Sequence, residues 1–140
     1  MNTEFPLLEN CNPITCYSGR IMRIDRIISN IFRDHISNFG LTNSQLSILF
    51  YTSKKGIVSQ SLLSEVLYLE KSSVSRNMKR LLQAKLLQKT NSRQIEITLK
   101  GKKLLEDVIP EWNKAMEKVN SILKPEGQHA FDLIYNKLTK

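Results

Sequence analysis

The sequence predicts a mainly α-helical fold with one small β-hairpin, which has helices before and after it. Three observations support this fold class. Apolar residues recur at spacings of three and four along most of the chain, which is the period of a helix with one buried face. One segment, LLQKTNSRQIEITL at 86–99, instead alternates apolar and polar residues, as strands do. Residues suited to begin and end helices lie between the periodic segments.

The first long helix follows an N-terminal arm. Residues 1–16 are mostly polar, contain two prolines and lack helical periodicity, so an arm without regular structure is predicted there. Isoleucine and phenylalanine then recur at spacings of three and four between Ile21 and Phe39, which places the helix at 17–39. Gly40 suits its end, because glycine tolerates the left-handed conformation found there.

Three shorter helices follow, each with a recognisable start. Thr42 and Gln45, three residues apart, predict a capping box at the beginning of the second helix. That helix closes at Gly56, and Ser59 is suited to cap the third. The short turn YLEK then leads into a fourth helix that contains the stretch EKSSVSRNMKR, residues 70–80.

The fourth helix has an unusual distribution of side chains. Only a narrow apolar stripe of Val74, Met78, Leu81 and Leu82 is available to attach it to the core. The remaining positions up to about Lys85 carry mainly hydroxyls and cations. This pattern predicts a helix that is held along one edge and presents a basic, hydroxyl-rich face outward.

A hairpin and the C-terminal helices complete the chain. The alternating segment predicts two strands joined by a polar tip at Thr90–Arg93. Thr98 is suited to cap a long helix, in which Pro110 should produce a kink. Pro125 should open a final helix, so that residues 100–140 form C-terminal helices.

Composition narrows the range of functions. The 140 residues suit a single domain, and 21 Lys and Arg against 13 Asp and Glu give a formal net charge of +8. This excess favours a polyanionic partner, with nucleic acid first. No apolar run of transmembrane length and no signal peptide are recognised, so a cytoplasmic protein without a membrane partner is predicted.

The order of elements between 42 and 99 is that of a winged helix-turn-helix: helix, short turn, basic helix and hairpin. Over residues 17–138 the chain resembles the multiple antibiotic resistance regulator (MarR) family of dimeric transcription factors. FGLTNSQLSIL is similar to the family's G-L-T-x-x-Q stretch, SSVSRNMKRL to its recognition helix, and SRQIEITLKG to its wing arginine followed by L-T-x-x-G. The resemblance implies dimerisation helices at 17–39 and 100–140.

A regulator of this kind would place the fourth helix in the major groove of DNA. Arg76 is the candidate for a base edge, because its guanidinium can hold guanine O6 and N7 together. The serine hydroxyls of this helix can approach bases or phosphates, and its other cations suit phosphates. Arg80 could equally pair with an acidic side chain. The resemblance places the wing arginine in or beside the minor groove. The candidate DNA-binding residues are Lys71, Ser72, Ser73, Ser75, Arg76, Lys79, Arg80 and Arg93.

The first and last helices are predicted to form a homodimer. Their apolar stripes, which include Ile21, Ile24, Phe131 and Ile134, exceed what a monomer surface usually exposes. A two-fold dimer would hold two recognition helices about one DNA turn apart and would read an inverted repeat. The alternative is that these stripes pack only on the core of their own chain.

The sequence departs from the family pattern at three positions near the predicted interface. Asn91 stands where members often have an aspartate two residues before the wing arginine, and the wing is short. Lys85 occupies the place of a glycine that ends the recognition helix in many members. Glu70 stands at the N-cap, where serine or threonine is usual.

Two kinds of signal could release such a repressor from DNA. The resemblance implies either a small aromatic inducer or oxidation of a cysteine. LLENCNPITCYSGR looks like the cysteine-bearing segment of hydroperoxide-sensing members, which makes Cys16 a candidate sensor and Cys11 its resolving partner. A helix N-terminus and nearby Arg20 would favour a Cys16 thiolate. Both cysteines could instead be small apolar fillers.

A ligand pocket could also form around the aromatic residues Tyr17, Phe39 and Tyr51 together with His35, although aromatic residues at helical spacing are more often core. An enzyme is not predicted, because the sequence contains no HExxH, CxxC pair, glycine-rich phosphate loop or nucleophile elbow. No metal site and no cofactor are predicted either. The alternative function is a winged-helix module that binds another protein rather than DNA.

Overall fold

The computed structural model describes residues 4–140. It is mostly helical and contains one small antiparallel sheet. Two 3₁₀ turns, Pro13–Thr15 and Ser37–Phe39, flank the first long helix. The elements in chain order are α1 (Pro6–Glu9), α2 (Tyr17–Ile36), α3 (Asn43–Lys55), β1 (Ile57–Ser59), α4 (Gln60–Leu67), α5 (Lys71–Gln83), β2 (Leu87–Asn91), β3 (Gln94–Ile97) and α6 (Leu99–Leu138).

Most helix boundaries lie where the capping residues predicted them. Gly40 has a φ of 71° after the 3₁₀ turn that ends the first long helix. Thr42 and Gln45 form a complete capping box at the start of α3. The Ser59 hydroxyl accepts a hydrogen bond from the Leu62 amide, and the Thr98 hydroxyl accepts one from the Gly101 amide. These boundaries are local consequences of side chains that satisfy free amide groups at helix starts.

The sheet contains one more strand than predicted. β3 lies in the centre and pairs with β2 on one side and β1 on the other, in the order β1-β3-β2. Val58 in β1 is opposite Ile95 in β3, and both side chains are buried. The tip is also shorter, since Thr90 and Asn91 belong to β2. The predicted hairpin is present as β2 and β3, but its tip is shorter than Thr90–Arg93 and the third strand, β1, was not predicted.

The long C-terminal helix is interrupted directly before Pro125, where a final helix was predicted to begin, and not at Pro110, where a kink was predicted. Its backbone stays helical through Pro110, and the non-helical residue is Lys124, with φ 58° and ψ 174°. Buried Val108 and Ala115 hold the helix against the core on both sides of Pro110, whereas Ile122 near the break is exposed. Pro125 disfavours the helical conformation of the residue before it, and no buried packing opposes the break at Lys124.

The N-terminal arm differs from the prediction that it has no regular structure. It contains α1, which begins at Pro6, and the 3₁₀ turn at Pro13–Thr15, where the Asn12 side chain accepts a hydrogen bond from the Ile14 amide. Proline suits the first position of a helix, because it needs no amide partner there. The described arm residues are nevertheless exposed, and residues 1–3 lie outside the described part of the chain.

A single hydrophobic core lies within the lobe formed by α3, α4, α5 and the sheet, and α2 and α6 contribute to it from one side. Between residues 4 and 140 no helix is both long enough and apolar enough to span a membrane. The fully buried large apolar side chains are Ile36, Ile48, Leu49, Val58, Leu63, Val74, Leu81, Leu87, Ile95 and Val108.

Candidate nucleic-acid interface

Helix α5 is attached to the core as its narrow apolar stripe predicts. Val74 and Leu81 are buried, and Met78 and Leu82 are partly buried against the same core. The side chains on the other faces point to solvent. Of the predicted contact residues, Ser73 is half-buried, and those that are exposed are Lys71, Ser72, Ser75, Arg76, Lys79, Arg80 and, on the wing, Arg93.

The exposed cations of α5 have no acidic partners within the described residues 4–140. The ion pairs there include a cluster between α2 and α6, in which Glu111 contacts His35 of α2 at 3.1 Å and Lys114 at 2.9 Å. The hydrogen bond from Lys114, followed by that from His35, lowers the pKa of the Glu111 carboxyl. Because Arg80 makes no such pair, the basic face of α5 is available to an anionic partner.

The N-terminus of α5 is positioned by backbone and amide contacts. Glu70 occupies the N-cap position, but its side chain makes no capping hydrogen bond. The Gln60 side chain donates from Nε2 to the Lys71 carbonyl at 3.1 Å, which ties the start of α4 to the start of α5. Tyr68 adopts a left-handed conformation with φ 53° in the turn between these helices. The turn therefore orients α5 without a side-chain cap.

Gln45 is a residue whose role at this surface sequence reasoning missed. The side chain is buried, with 7% of its surface exposed. Its Oε1 accepts from the Thr42 amide at 3.1 Å, and its Nε2 donates to Oδ1 of Asn77 on α5 at 3.4 Å. Gln45 therefore closes a capping box and holds α5 with the same side-chain amide. The G-L-T-x-x-Q stretch signalled only the first of these roles.

The wing tip is shaped by Asn91. Its Oδ1 accepts from the Arg93 amide at 2.9 Å, and its Nδ2 donates to Gln94 Oε1 at 2.7 Å. Asn91 thus fixes the backbone of the two-residue tip, Ser92 and Arg93, rather than the Arg93 guanidinium. At the other end of β2, Lys85 has a φ of 60°, in the left-handed region that glycine adopts more readily. The chain turns there without glycine.

The cysteines proposed as sensors lie at and before the start of α2, not on α5 or the wing. Cys16 is the N-cap residue of α2, and both Cys16 and Cys11 are exposed free thiols. The Arg20 side chain donates from Nε to the Ile14 carbonyl at 3.3 Å. The aromatic group does not form one pocket, because Tyr17 is 84% exposed whereas Phe39 and Tyr51 pack against the core. His35 instead pairs with Glu111.

These elements together define a winged helix-turn-helix protein: α4, the turn and α5 form the two-helix unit, and β2 with β3 forms the wing beside it.

Comparison with known proteins agrees with this class. Residues 39–94 match the model of the MarR family. BpsR of Bordetella bronchiseptica superposes with a TM-score of 0.83 at 20% identity, with 92% of this chain and 97% of that chain covered. Sco5413, a MarR family transcriptional regulator from Streptomyces coelicolor, gives 0.78 at 23% identity, with coverage of 91% and 94%. The reduced form of MarR from E. coli gives 0.73 at 13%, with coverage of 95% and 98%.

A comparison with curated protein sequences found no significant match. The family match over residues 39–94 and the shared fold agree with the resemblance to the MarR family inferred from the sequence. The family and these structural neighbours are transcriptional regulators and not enzymes.

Proposed function

We propose that the chain is a sequence-specific, double-stranded DNA-binding repressor that acts as a homodimer on an inverted repeat in the cytoplasm. The observation that carries this proposal is the face of α5, on which seven predicted contact residues include four exposed cations without acidic partners in residues 4–140. Arg76 would read a base edge, while Lys71, Lys79 and Arg80 would contact phosphates.

The proposed dimer is supported by apolar side chains that the chain leaves uncovered. On α2, Ile21 is 51% exposed, and on α6, Ile134 is 52% and Leu138 74% exposed. These side chains do not pack on the core of their own chain. The alternative in which the apolar stripes of the first and last helices pack only on that core therefore loses its support. A second copy could cover them by two-fold symmetry, which would set two α5 helices roughly 34 Å apart on DNA.

Release from DNA is proposed to follow either a small ligand or thiol oxidation. The structural neighbour BpsR has its DNA binding regulated by 6-hydroxynicotinic acid, which supports a small aromatic inducer here. The exposure of Cys16 and Cys11 supports the thiol alternative, because reversible oxidation requires access to the oxidant.

The test of the proposed function is the selection of genomic DNA fragments by the purified, reduced protein. The recovered duplex would then be titrated by fluorescence anisotropy, and the mass of the free protein would be measured by light scattering. An inverted repeat bound by a protein of twice the chain mass is expected. Failure to enrich any sequence, at any salt concentration that allows binding, would favour the alternative in which the winged helix binds another protein.

Replacement of the wing arginine tests the reach of the short wing. Arg93→Ala should weaken binding to the selected site and to unrelated DNA with only a modest change in preference, because a contact to phosphates carries little sequence information. Titration of both duplexes measures this loss. Unchanged affinity on both would show that the wing does not reach the DNA.

Replacement of Cys16 separates the two release mechanisms. If a hydroperoxide releases the wild-type protein from DNA, Cys16→Ser should remain bound under the same treatment, because serine cannot form a sulfenic acid. Cys11→Ser serves as a comparison and should alter only the later disulfide step. A Cys16→Ser protein that still dissociates on oxidation would exclude Cys16 as the sensor.

A further inference from the structure

A groove with several basic side chains in its lining runs between α5 and the wing. One part, of about 530 Å³, extends from Ser61 to Arg93, and the adjoining part, of about 590 Å³, extends to Ser75 and Lys79. Gln60, Met78, Lys89 and Ser92 line both parts, so that the two form one continuous depression. Neither part is lined by an aspartate or glutamate. The cations in the lining, Lys79, Lys89 and Arg93, therefore favour an anionic partner.

The sheet register places Lys89 on the groove side of the wing. Lys89 is opposite Ile95, which is buried, whereas Gln88 is opposite Glu96. Residues opposite each other in an antiparallel pair share a face, so Lys89 shares the face of the sheet that Ile95 buries. On the other face, Gln88 donates to the Glu96 carboxylate at 2.8 Å. The wing thus presents its cation to the groove and its carboxylate to the opposite side.

We propose that this groove binds the sugar-phosphate backbone of DNA, with Lys89 supplying the contact from the wing strand and Ser92 and Gln60 lining the path. The inference rests on the proposed DNA-binding function and adds a residue of the strand itself to the contact surface. Lys89 contacts a DNA phosphate that lies between the bases read by α5 and the part of the DNA reached by Arg93. Its contribution is affinity without sequence preference.

The test uses the full-length protein and two duplexes, the selected site and an unrelated sequence, titrated over a range of salt concentrations. Lys89→Gln should weaken binding to both duplexes by a similar factor. It should also reduce the slope of log K against log salt by about 0.9 for each phosphate that the variant no longer neutralises, or about 1.8 for a dimer. Lys54→Gln, which removes an equal charge from an exposed position on α3, should leave the slope unchanged.

A charge-exchange variant tests the face of the strand as well as the charge. The double variant Lys89→Gln with Gln88→Lys keeps the net charge and moves the cation to the opposite face, so it should bind as weakly as Lys89→Gln. A wild-type slope in Lys89→Gln, or full recovery in the double variant, would overturn the inference while leaving the proposed function intact. A wild-type protein that binds neither duplex would overturn both.

Discussion

Arg76→Ala should lower affinity for the selected DNA site far more than affinity for unrelated DNA. A bidentate contact to guanine is worth about 1–3 kcal/mol of discrimination, so two such contacts in a dimer contribute about 2–6 kcal/mol. This corresponds to roughly 30-fold or more in the ratio of specific to nonspecific dissociation constants. Because Arg76 is exposed and makes no ion pair within residues 4–140, its removal should leave folding stability almost unchanged.

Arg80→Ala is the matched control for this experiment, because it removes the same side chain from the same exposed helix. We expect Arg80→Ala to weaken both duplexes alike and to reduce the salt dependence, as a phosphate contact should. Competition titrations with both duplexes at a fixed salt concentration measure the two variants. Equal losses on both duplexes for Arg76→Ala would assign Arg76 to a phosphate as well.

Gly101→Ala should cause a large loss of stability for so small a change in side chain. A Cβ at Gly101 would overlap the Leu86 carbonyl oxygen and would lie 2.7 Å from Cγ1 of Ile97. The Leu86 carbonyl cannot easily move, because it accepts from the Thr98 amide at 3.0 Å and from the Thr98 hydroxyl at 3.1 Å. Forcing a methyl group into such a site costs about 1–3 kcal/mol or more.

Thermal unfolding at fixed protein concentration measures this effect, with an expected decrease in Tm of several degrees for each kcal/mol of stability removed. Gly19→Ala provides the contrast, since its Cβ would meet only the flexible end of Arg23, at 3.3 Å. That variant should gain up to about 1 kcal/mol from the higher helix propensity of alanine. An unchanged Tm for Gly101→Ala would mean that the start of α6 can move away from the sheet.

Elements with local signals were predicted well. Gly40 and Gly56 have positive φ, as expected of glycines that end helical segments. Gly40 follows the 3₁₀ turn after α2, and Gly56 follows α3. The caps at Thr42, Ser59 and Thr98 also lie at their predicted positions. In each case the determining atoms lie within a few residues, so a short window of sequence contains the physical cause.

Elements that depend on remote partners were missed or misplaced. β1 has only three residues, too few for a recognisable alternation, and it exists because β3 pairs with it across more than thirty residues of chain. The backbone of α6 stays helical at Pro110, where a kink was predicted, because buried residues on both sides of Pro110 hold it in place. The break at Lys124 directly precedes Pro125, where a new helix was predicted to begin.

At the candidate interface, too, features with a local cause were predicted and features that depend on remote residues were not. The exposed face of α5 followed from its composition, since a helix with so narrow an apolar stripe must expose the rest. The bond from Gln45 to Asn77 joins residues 32 positions apart, and the face of Lys89 depends on its register with Ile95. Neither has a local sequence signal.

By itself the sequence determined where most helices begin and end, that one helix is basic on its free face, and that a wing follows it. These features depend on hydrogen bonds and periodicities within single segments. Only the tertiary structure decided the third strand, the anchoring of α5 by Gln45 and the groove lined by Lys89. Only it showed that Gly101 must lack a side chain, because that requirement arises from the Leu86 carbonyl and the Ile97 side chain packed against it.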